Sequence, residues 1–308
     1  MRQKMLSEAL KERFGTKVYK LSMTSGCTCP NRDGSAGFGG CTFCSEGGSG
    51  EFASPLLPPE EQIRLARQRV DAKFPATILP ADRKYIAYFQ SFTNTYVRNP
   101  QELERLRALY RETILRPEIA ALSIGTRPDC LPPDILDMLQ ELRTCCSPQP
   151  KPVWVELGLQ TIHEGTAQRI HRGYDLPVFE KAVRDLKEIG IEVIVHVILG
   201  LPGESREDML DTVRYLGQMK PSIDGIKLQQ LQILRGTQMA ADYEEDPFPV
   251  MTLDQYCALI RDCLQALPDE IVLHRLTGDG PKSLLIAPAW SADKKRVLNT
   301  MRKAIADL

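Results

Sequence analysis

Short apolar runs alternate with amphipathic segments through the middle of the chain. The apolar runs are typical of buried strands, and the segments between them repeat apolar residues at helical spacing. The predicted strands are 17–23, 84–90, 121–125, 153–159, 191–199 and 226–234. The run 191–199 is almost continuously apolar, as expected for a parallel strand covered on both faces. The predicted helices between the strands are 100–115, 133–142, 178–189 and one that begins with a capping box at Ser205 and Asp208.

This alternation predicts right-handed βαβ crossovers and one parallel sheet of about six strands. Periodicity alone leaves open whether the sheet is open and doubly wound or forms a partial barrel. The C-terminal part is predicted to be mostly helical, with one short strand at 270–274. We therefore expect an N-terminal helix at 1–14, a core at 15–235 with an irregular loop at 26–50, and a C-terminal extension at 236–308 packed on the core.

Composition is typical of a soluble globular protein. Hydrophobic residues make up 43% of the chain and charged residues 26%, and no apolar run reaches the roughly 18 residues that a membrane span needs. The N-terminal segment 1–15 is charged and lacks the apolar centre of a signal peptide, so a cytoplasmic location is expected. Lys and Arg number 39 against 40 Asp and Glu. Nucleic-acid binding would therefore depend on a local basic surface.

Four of the nine cysteines fall within the glycine-rich loop after the first predicted strand, namely Cys27, Cys29, Cys41 and Cys44. Without an export signal, metal chemistry explains such cysteines better than disulfides do. The two residues between Cys41 and Cys44 let both thiolates reach one metal centre. A four-cysteine zinc site is one interpretation, although C-x-C is a tight pair for it. A three-cysteine iron–sulfur site that leaves one iron open is the other.

A series of short motifs stands in order along nearly the whole chain. They are Cys29–Gly34, Gly39–Cys44, Tyr88–Tyr96, Gly125–Cys130, Glu156–Gln160, Arg172-Gly173, Gly200–Glu204, His274–Asp279 and Ala287–Trp290. Together they resemble the bacterial YhcC/YtqA-like family of radical S-adenosylmethionine (SAM) proteins, which is related to the catalytic domain of Elongator's third subunit. The resemblance extends from about Phe14 to Asn299. It implies an α/β fold, a partial (β/α)6 TIM-type barrel with a mainly helical C-terminal extension.

The resemblance also implies a [4Fe–4S] cluster and reductive cleavage of SAM to a 5′-deoxyadenosyl radical. Its motifs assign Cys29, Cys41 and Cys44 as the cluster ligands. Cys27 stands where the family has an apolar residue, so it either substitutes as a ligand or packs as a small apolar side chain. The other five cysteines form no C-x-x-C pair, and a second cluster is not expected.

For SAM, the resemblance implies contacts along the predicted strand ends, where ligand sites of parallel barrels gather. The implied contacts are Phe43 and the turn at Gly200 for adenine, Gln90, Thr93 and Asn94 for the methionyl amino group, Gln160 and Arg172 for its carboxylate, and His196 for the ribose. By itself, His196 is equally typical of a hydrogen-bonded core histidine. Glu156 shares a strand face with Gln160 and is expected to point inward, where its charge needs a ligand hydroxyl or a cation.

The family resemblance suggests tRNA as the substrate, with the carboxymethyl group removed from a wobble 5-carboxymethylaminomethyluridine to leave the aminomethyl form. A reductant such as a flavodoxin or ferredoxin is expected, and a membrane partner is not. The basic segment 294–303, with Tyr96 or Trp290 as a stacking ring, is a candidate RNA contact or else a solvated helix face. If the last predicted strand touches substrate, Gln229 and Gln232 mark a variant specificity.

Two other functions stay open. One is a radical SAM enzyme that acts on a small molecule or peptide. The other is an iron–sulfur or zinc protein without catalytic turnover. A protein that only senses or assembles a cluster would not need the SAM-binding motifs at Gln160, Arg172 and 200–204, so these motifs favour an enzyme.

Overall fold

The computed structural model describes residues 3–48, 50–146 and 148–308. Seven parallel strands form one curled sheet, and its strand order follows the chain. These strands are β1 (Val18–Met23), β2 (Lys84–Phe89), β3 (Ile119–Thr126), β4 (Val153–Gln160), β5 (Glu192–Leu199), β6 (Gly225–Gln230) and β8 (Val272–Arg275). A separate antiparallel pair consists of β7 (Ile233–Leu234) and β9 (Leu285–Ala287). The predicted parallel sheet is confirmed.

Helices connect the strands, and most of them cover the outer face of the sheet. They are α1 (Leu6–Phe14), α2 (Pro59–Val70), α3 (Pro100–Leu115), α4 (Pro133–Thr144), α5 (Glu164–Arg169), α6 (Leu176–Glu188), α7 (Arg206–Gln218), α8 (Gln238–Glu245), α9 (Leu253–Ala266) and α10 (Lys294–Ala304). The capping box predicted at Ser205 is present at the start of α7. Of the helices in the described residues, none combines the length and the apolar character needed to cross a membrane.

The interior of the curled sheet is built in layers, because every second side chain of each strand points inward. The layer at the amino ends is apolar and consists of Val18, Ile86, Ala121, Trp154 and Ile194, with Leu10 of α1 packed against it. The next layer is polar, and its side chains contact one another: they are Lys20, Tyr88, Ser123, Glu156, His196 and Lys227. Helix α1 therefore closes the bottom of the barrel, and the polar layer lies above this closure.

The C-terminal part is more closely joined to the core than the sequence suggested. The short strand expected at 270–274 is β8, which pairs in parallel with β6 and completes the main sheet. Strand β9 pairs with β7, which follows β6 directly. Periodicity identifies a strand but not its partner, so this pairing could not be predicted. The boundaries at 14 and 235 stay predictions.

The closure of the barrel bottom by α1 leads to a stability prediction. Leu10 is 5% exposed in the closure, so we expect Leu10→Ala to lower the free energy of unfolding by about 2–5 kcal/mol through lost burial and a cavity. The matched control is Leu115→Ala, because Leu115 is 49% exposed at the end of α3, and a change within about 0.5 kcal/mol is expected there. Urea denaturation measures both. Equal losses in the two variants would contradict the role given to α1.

Candidate functional site

A cavity of about 620 Å³ opens at the carboxyl ends of the barrel strands. Its volume lies in the range of about 300–1,000 Å³ that is common for small-molecule sites. The cysteine-rich loop forms one side, the inward side chains of the strands form the floor, and residues 278–280 of the C-terminal part lie on another side. The barrel thus brings loops and strand ends together around one enclosed space.

The cysteine-rich loop places three of its four cysteines on the cavity wall. Cys29, Cys41 and Cys44 line the cavity, whereas Cys27 is buried in the apolar core. Burial raises the pKa of the Cys41 thiol to about 12, and the thiols of Cys44 and Cys29 add to this effect. Cys41 is therefore protonated near neutral pH unless a cation holds it as a thiolate.

The loop is held in place by contacts from its own side chains. Asn31 donates a hydrogen bond to the carbonyl of His171, and the Arg32 guanidinium donates to the carbonyls of Cys44 and Ser45. Gly40 has a φ of 87° and lies close to Arg32, since a Cβ there would be 2.9 Å from its Nε. A side chain at position 40 would therefore disturb the arginine that supports the C-x-x-C segment.

Within the described ranges, no three or more His, Cys, Asp or Glu side chains are arranged to hold a single metal ion. Cys29, Cys41 and Cys44 share one cavity wall, as a three-cysteine site requires. Cys27, which a four-cysteine zinc site would need as its fourth ligand, is buried in the apolar core instead.

Glu156 occupies the centre of the polar layer. Its carboxylate is 0% exposed and accepts hydrogen bonds from Lys20 Nζ at 2.6 Å, Ser123 Oγ at 2.5 Å and His196 Nε2 at 2.7 Å, and from Lys227 Nζ. Burial raises the pKa of Glu156, but the ammonium groups of Lys20 and Lys227 outweigh it and hold that pKa well below its usual range. The expectation that Glu156 points inward and needs a cation agrees with this geometry.

The charge states of His196 and Lys227, which both bond to Glu156, follow from the same contacts. Burial, together with nearby Lys227, lowers the pKa of His196 to about 4, so the ring is neutral and donates through Nε2–H. Burial also lowers the pKa of Lys227, and Glu156 opposes that shift. Because the ammonium of Lys227 lies directly against an ionised carboxylate, we take the pair as charged. Glu156 is thus paired with two lysines.

Gln160 has a buried, unpaired polar atom at the cavity wall. It has a positive φ of 66° at the end of β4, and its side chain lines the cavity. Its Oε1 is buried and has no hydrogen-bond partner among the described residues. An unmade hydrogen bond of this kind costs about 1–3 kcal/mol. A ligand that donates a hydrogen bond would satisfy this oxygen.

The structure brings most of the predicted SAM contacts to the cavity, but not all of them. Seven of the nine line it: Phe43, Gln90, Thr93, Glu156, Gln160, Arg172 and His196. Asn94 does not line it, because its amide donates to the carbonyls of Phe89 and Gly125 and accepts from Ser25 Oγ. Gly200 does not line it either, and its N–H points to Met209 Sδ. Asn94 instead fastens the turn after β2 to β3.

Arg172 lines the cavity but is already engaged by the protein. Its guanidinium donates to the carbonyls of Tyr174, Leu159 and Thr161 and to the carboxylate of Glu164. Two of these acceptors, Leu159 and Thr161, are the chain neighbours of Gln160. Arg172 therefore fixes the backbone that carries Gln160, and its predicted contact with the SAM carboxylate stays a prediction.

Sequence reasoning singled out Gln232 but did not place Lys20, Gln230 or Arg275 at the cavity. Lys20 and Arg275 line the cavity, and the alternation of inward positions on β1 could have identified Lys20. Gln230 and Gln232 accept hydrogen bonds from the backbone N–H groups of Gly278 and Gly280. These two glutamines therefore hold the segment 278–280 against the cavity, which local sequence patterns do not reveal.

The two aromatic residues considered for base stacking have other contacts. Trp290 donates from Nε1 to the carbonyl of Met251 at 2.8 Å and packs beside the Tyr256 ring. Tyr96 does not line the main cavity, and its hydroxyl bonds with Ser35 Oγ at 2.6 Å. The structure therefore does not place either ring at the cavity.

Comparison with known proteins gives a consistent assignment. Residues 25–216 match the Radical SAM superfamily, and residues 223–307 match the Radical_SAM C-terminal domain. YtqA of Bacillus subtilis is 40% identical over 301 residues, which is 97% of this chain and 88% of that protein. YhcC of Escherichia coli is 35% identical over 290 residues, which is 94% of this chain and 88% of that protein.

More distant similarities involve proteins with additional regions. The tRNA uridine(34) acetyltransferase of Methanocaldococcus jannaschii is 26% identical over 170 residues, which is 54% of this chain and 29% of that protein. The structure of archaeal Methanocaldococcus infernus Elp3 with an N-terminal deletion superposes with a TM-score of 0.65 at 17% identity, covering 93% of this chain and 63% of that chain. The predicted partial barrel with a helical C-terminal part is confirmed.

The contacts of Glu156 lead to a second prediction. Glu156→Gln removes the only negative charge bonded to Lys20 and Lys227 in the described structure, so the free energy of unfolding should fall by about 3–5 kcal/mol. The control, Glu12→Gln, breaks the exposed ion pair with Lys4 and should cost less than about 1 kcal/mol. Denaturation monitored by circular dichroism compares them. A Glu156→Gln variant as stable as the control would disprove the buried ion pair.

Proposed function

This chain belongs to the radical SAM superfamily, and its cofactors are therefore a [4Fe–4S] cluster and SAM; from this premise we propose that it modifies the wobble uridine of tRNA. The proposed reaction removes the carboxymethyl group from 5-carboxymethylaminomethyluridine and leaves the aminomethyl form. The observation that carries the proposal is the similarity over 54% of this chain to a tRNA uridine(34) acetyltransferase. That protein's name specifies the nucleoside that we propose as the target here.

The residues around the cavity fit the cluster and SAM. We propose Cys29, Cys41 and Cys44 as the cluster ligands, because their thiols share the cavity wall while Cys27 does not reach it. Gln160 lines the same cavity wall, and we propose that its amide N–H donates to the methionyl carboxylate of SAM. When bound, the cluster and SAM supply reductive cleavage to a 5′-deoxyadenosyl radical.

The chain's own residues would bind and orient these groups. Phe43, between Cys41 and Cys44, offers an apolar ring to adenine, and Gln90 and Thr93 offer polar groups at the end of β2. The neutral His196 ring is committed through Nε2 to Glu156, so only its other nitrogen is available to a ribose hydroxyl. The segment 278–280 helps to exclude water from this space.

The basic helix α10 supports RNA as the substrate. Lys294, its first residue, pairs at 2.7 Å with Asp279, which lines the cavity. The helix therefore begins beside the cavity, and its exposed residues Lys295, Arg296, Arg302 and Lys303 would meet phosphates next to the entering base. Each phosphate contact contributes about 0.7–0.9 to the salt dependence of binding. We also propose an electron donor such as a flavodoxin or ferredoxin as a partner.

The cluster assignment is tested by single cysteine variants. After anaerobic reconstitution, we expect the intact protein to contain about four irons per chain, as a [4Fe–4S] cluster requires. Cys29→Ala, Cys41→Ala and Cys44→Ala should lose the iron and the brown colour, and the matched control Cys27→Ala should keep both. Loss of the cluster in Cys27→Ala with retention in Cys29→Ala would reverse the assignment.

The substrate is tested by nucleoside analysis. The reduced enzyme and SAM are incubated with tRNA that carries 5-carboxymethylaminomethyluridine, and the tRNA is digested and analysed by mass spectrometry. We expect the aminomethyl nucleoside to form while 5′-deoxyadenosine rises above its level without tRNA. Cys41→Ala and unmodified tRNA serve as controls. An unchanged nucleoside, with a small molecule or peptide stimulating SAM cleavage instead, would favour the alternative substrate class.

A further inference from the structure

Cationic side chains outnumber acidic ones on the cavity wall. In the described part of the chain, seven cationic residues and three acidic residues line it: Lys20, Arg32, Arg69, Lys73, Arg127, Arg172 and Arg275 against Glu51, Glu156 and Asp279. Arg127 and Arg172 are paired with Asp129 and Glu164, which do not line the cavity, so the excess comes from the other five cations. The chain as a whole has a net charge of −1, and this excess is therefore local. A cleft lined mainly by one sign of charge raises the local concentration of oppositely charged ligands.

The polar layer at the cavity floor also carries more cationic than acidic groups. Glu156 is the shared partner of Lys20 and Lys227, and the remaining groups bonded to these three residues are the neutral side chains of Ser123, His196 and Tyr88. Lys227 is 3% exposed and lies beneath the wall, whereas Lys20 is 20% exposed and lines the cavity. Lys20 is thus the member of this pair that a ligand can reach.

Arg275 adds a second accessible cation beside this floor. It lies opposite Lys227 in the register of β8 and β6, and it lines the cavity. One of its nitrogens donates to Gln229 Oε1 at 3.3 Å. Its nearest acid is Asp279 at 3.7 Å, which already accepts a hydrogen bond from Lys294 at 2.7 Å. Arg275 is held in position by Gln229 but is only weakly neutralised.

We propose that Lys20 and Arg275 form a subsite for an anionic group of the substrate, with Glu156 and Lys227 positioning Lys20 from below. This inference rests on the proposed function, in which the anionic group is the carboxylate of the carboxymethylaminomethyl side chain. Lys20 lies on β1, two residues before Ser22 and on the same face of the strand, so it lies deep in the cavity. A side chain that extends from the nucleobase reaches this depth more readily than a phosphate of the RNA backbone does. An ammonium and a guanidinium are suitable partners for a carboxylate.

The subsite would also bind the substrate more tightly than the product. The substrate side chain carries a carboxylate, whereas the aminomethyl product keeps only its amine, which is protonated near neutral pH. Lys20 and Arg275 attract the first and repel the second, because like charges destabilise a shared site. Loss of the carboxymethyl group therefore weakens binding and favours product release.

The test compares binding of three anticodon stem-loop RNAs to the cluster- and SAM-loaded protein. One RNA carries the carboxymethylaminomethyl group, the second carries the same group as its uncharged carboxamide, and the third is unmodified. We expect the carboxylate RNA to bind about tenfold more tightly than the carboxamide, the scale of one hydrogen bond to a charged group. Lys20→Met and Arg275→Gln should each reduce this ratio towards one, and Lys20→Arg should preserve most of it.

The control is Lys73→Met, the same substitution at an exposed lysine of the cavity rim, which should keep the full ratio. Arg275→Gln keeps the test valid if Lys20→Met does not fold. An equal loss for all three RNAs would mean that the two cations bind phosphate, and weaker SAM binding by the variants would mean that they bind SAM. Either result overturns the subsite, as does a wild-type ratio of one.

Failure of the proposed function is seen separately. In that case no aminomethyl nucleoside forms with the wild-type protein, even though it discriminates between carboxylate and carboxamide and loses this discrimination in Lys20→Met. Conversely, turnover of the nucleoside with equal binding of carboxylate and carboxamide RNAs would support the function and overturn the subsite.

Discussion

The buried carboxylate of Glu156 ties five strands of the barrel together. It lies on β4 and bonds to Lys20 on β1, Ser123 on β3, His196 on β5 and Lys227 on β6. A charge in this position is tolerable only because cations and hydroxyl donors surround it. The same contacts fix the position of the Lys20 side chain at the cavity floor. One electrostatic requirement therefore fixes both the inner wall of the barrel and the charge that a ligand meets there.

The layers above and below this carboxylate have different tasks. A (β/α)8 barrel fills its interior with branched apolar side chains and is a packed core. Here only the lowest layer is apolar, and α1 covers it through Leu10. Above the charged layer several inward positions are small, as at Ser22, Gly125 and Gly158, and the cavity begins there. The partial barrel thus provides an enclosed site where a complete apolar core would leave none.

The sequence predicted much of the fold, because strands with strong periodicity and the cysteine spacing depend on local patterns. It did not predict that β8 completes the main sheet, since pairing depends on contacts between distant segments. Motif comparison placed Asn94 at the cavity, but its amide groups bind backbone carbonyls that no sequence pattern displays. Lys20 was overlooked for the opposite reason, since a lone lysine in a strand is ordinary until its buried partner Glu156 is known.

Through strand β8, the C-terminal part contributes residues to the cavity. Arg275 lies at its end, and the segment 278–280 follows directly, held by Gln230 and Gln232 of the region around β6. Asp279 in this segment lies between Arg275 at 3.7 Å and Lys294 of α10 at 2.7 Å. A single acidic residue therefore connects the cation at the cavity floor with the basic helix outside. The RNA contact proposed for α10 and the base site proposed in the barrel would therefore belong to one continuous surface rather than to two independent domains.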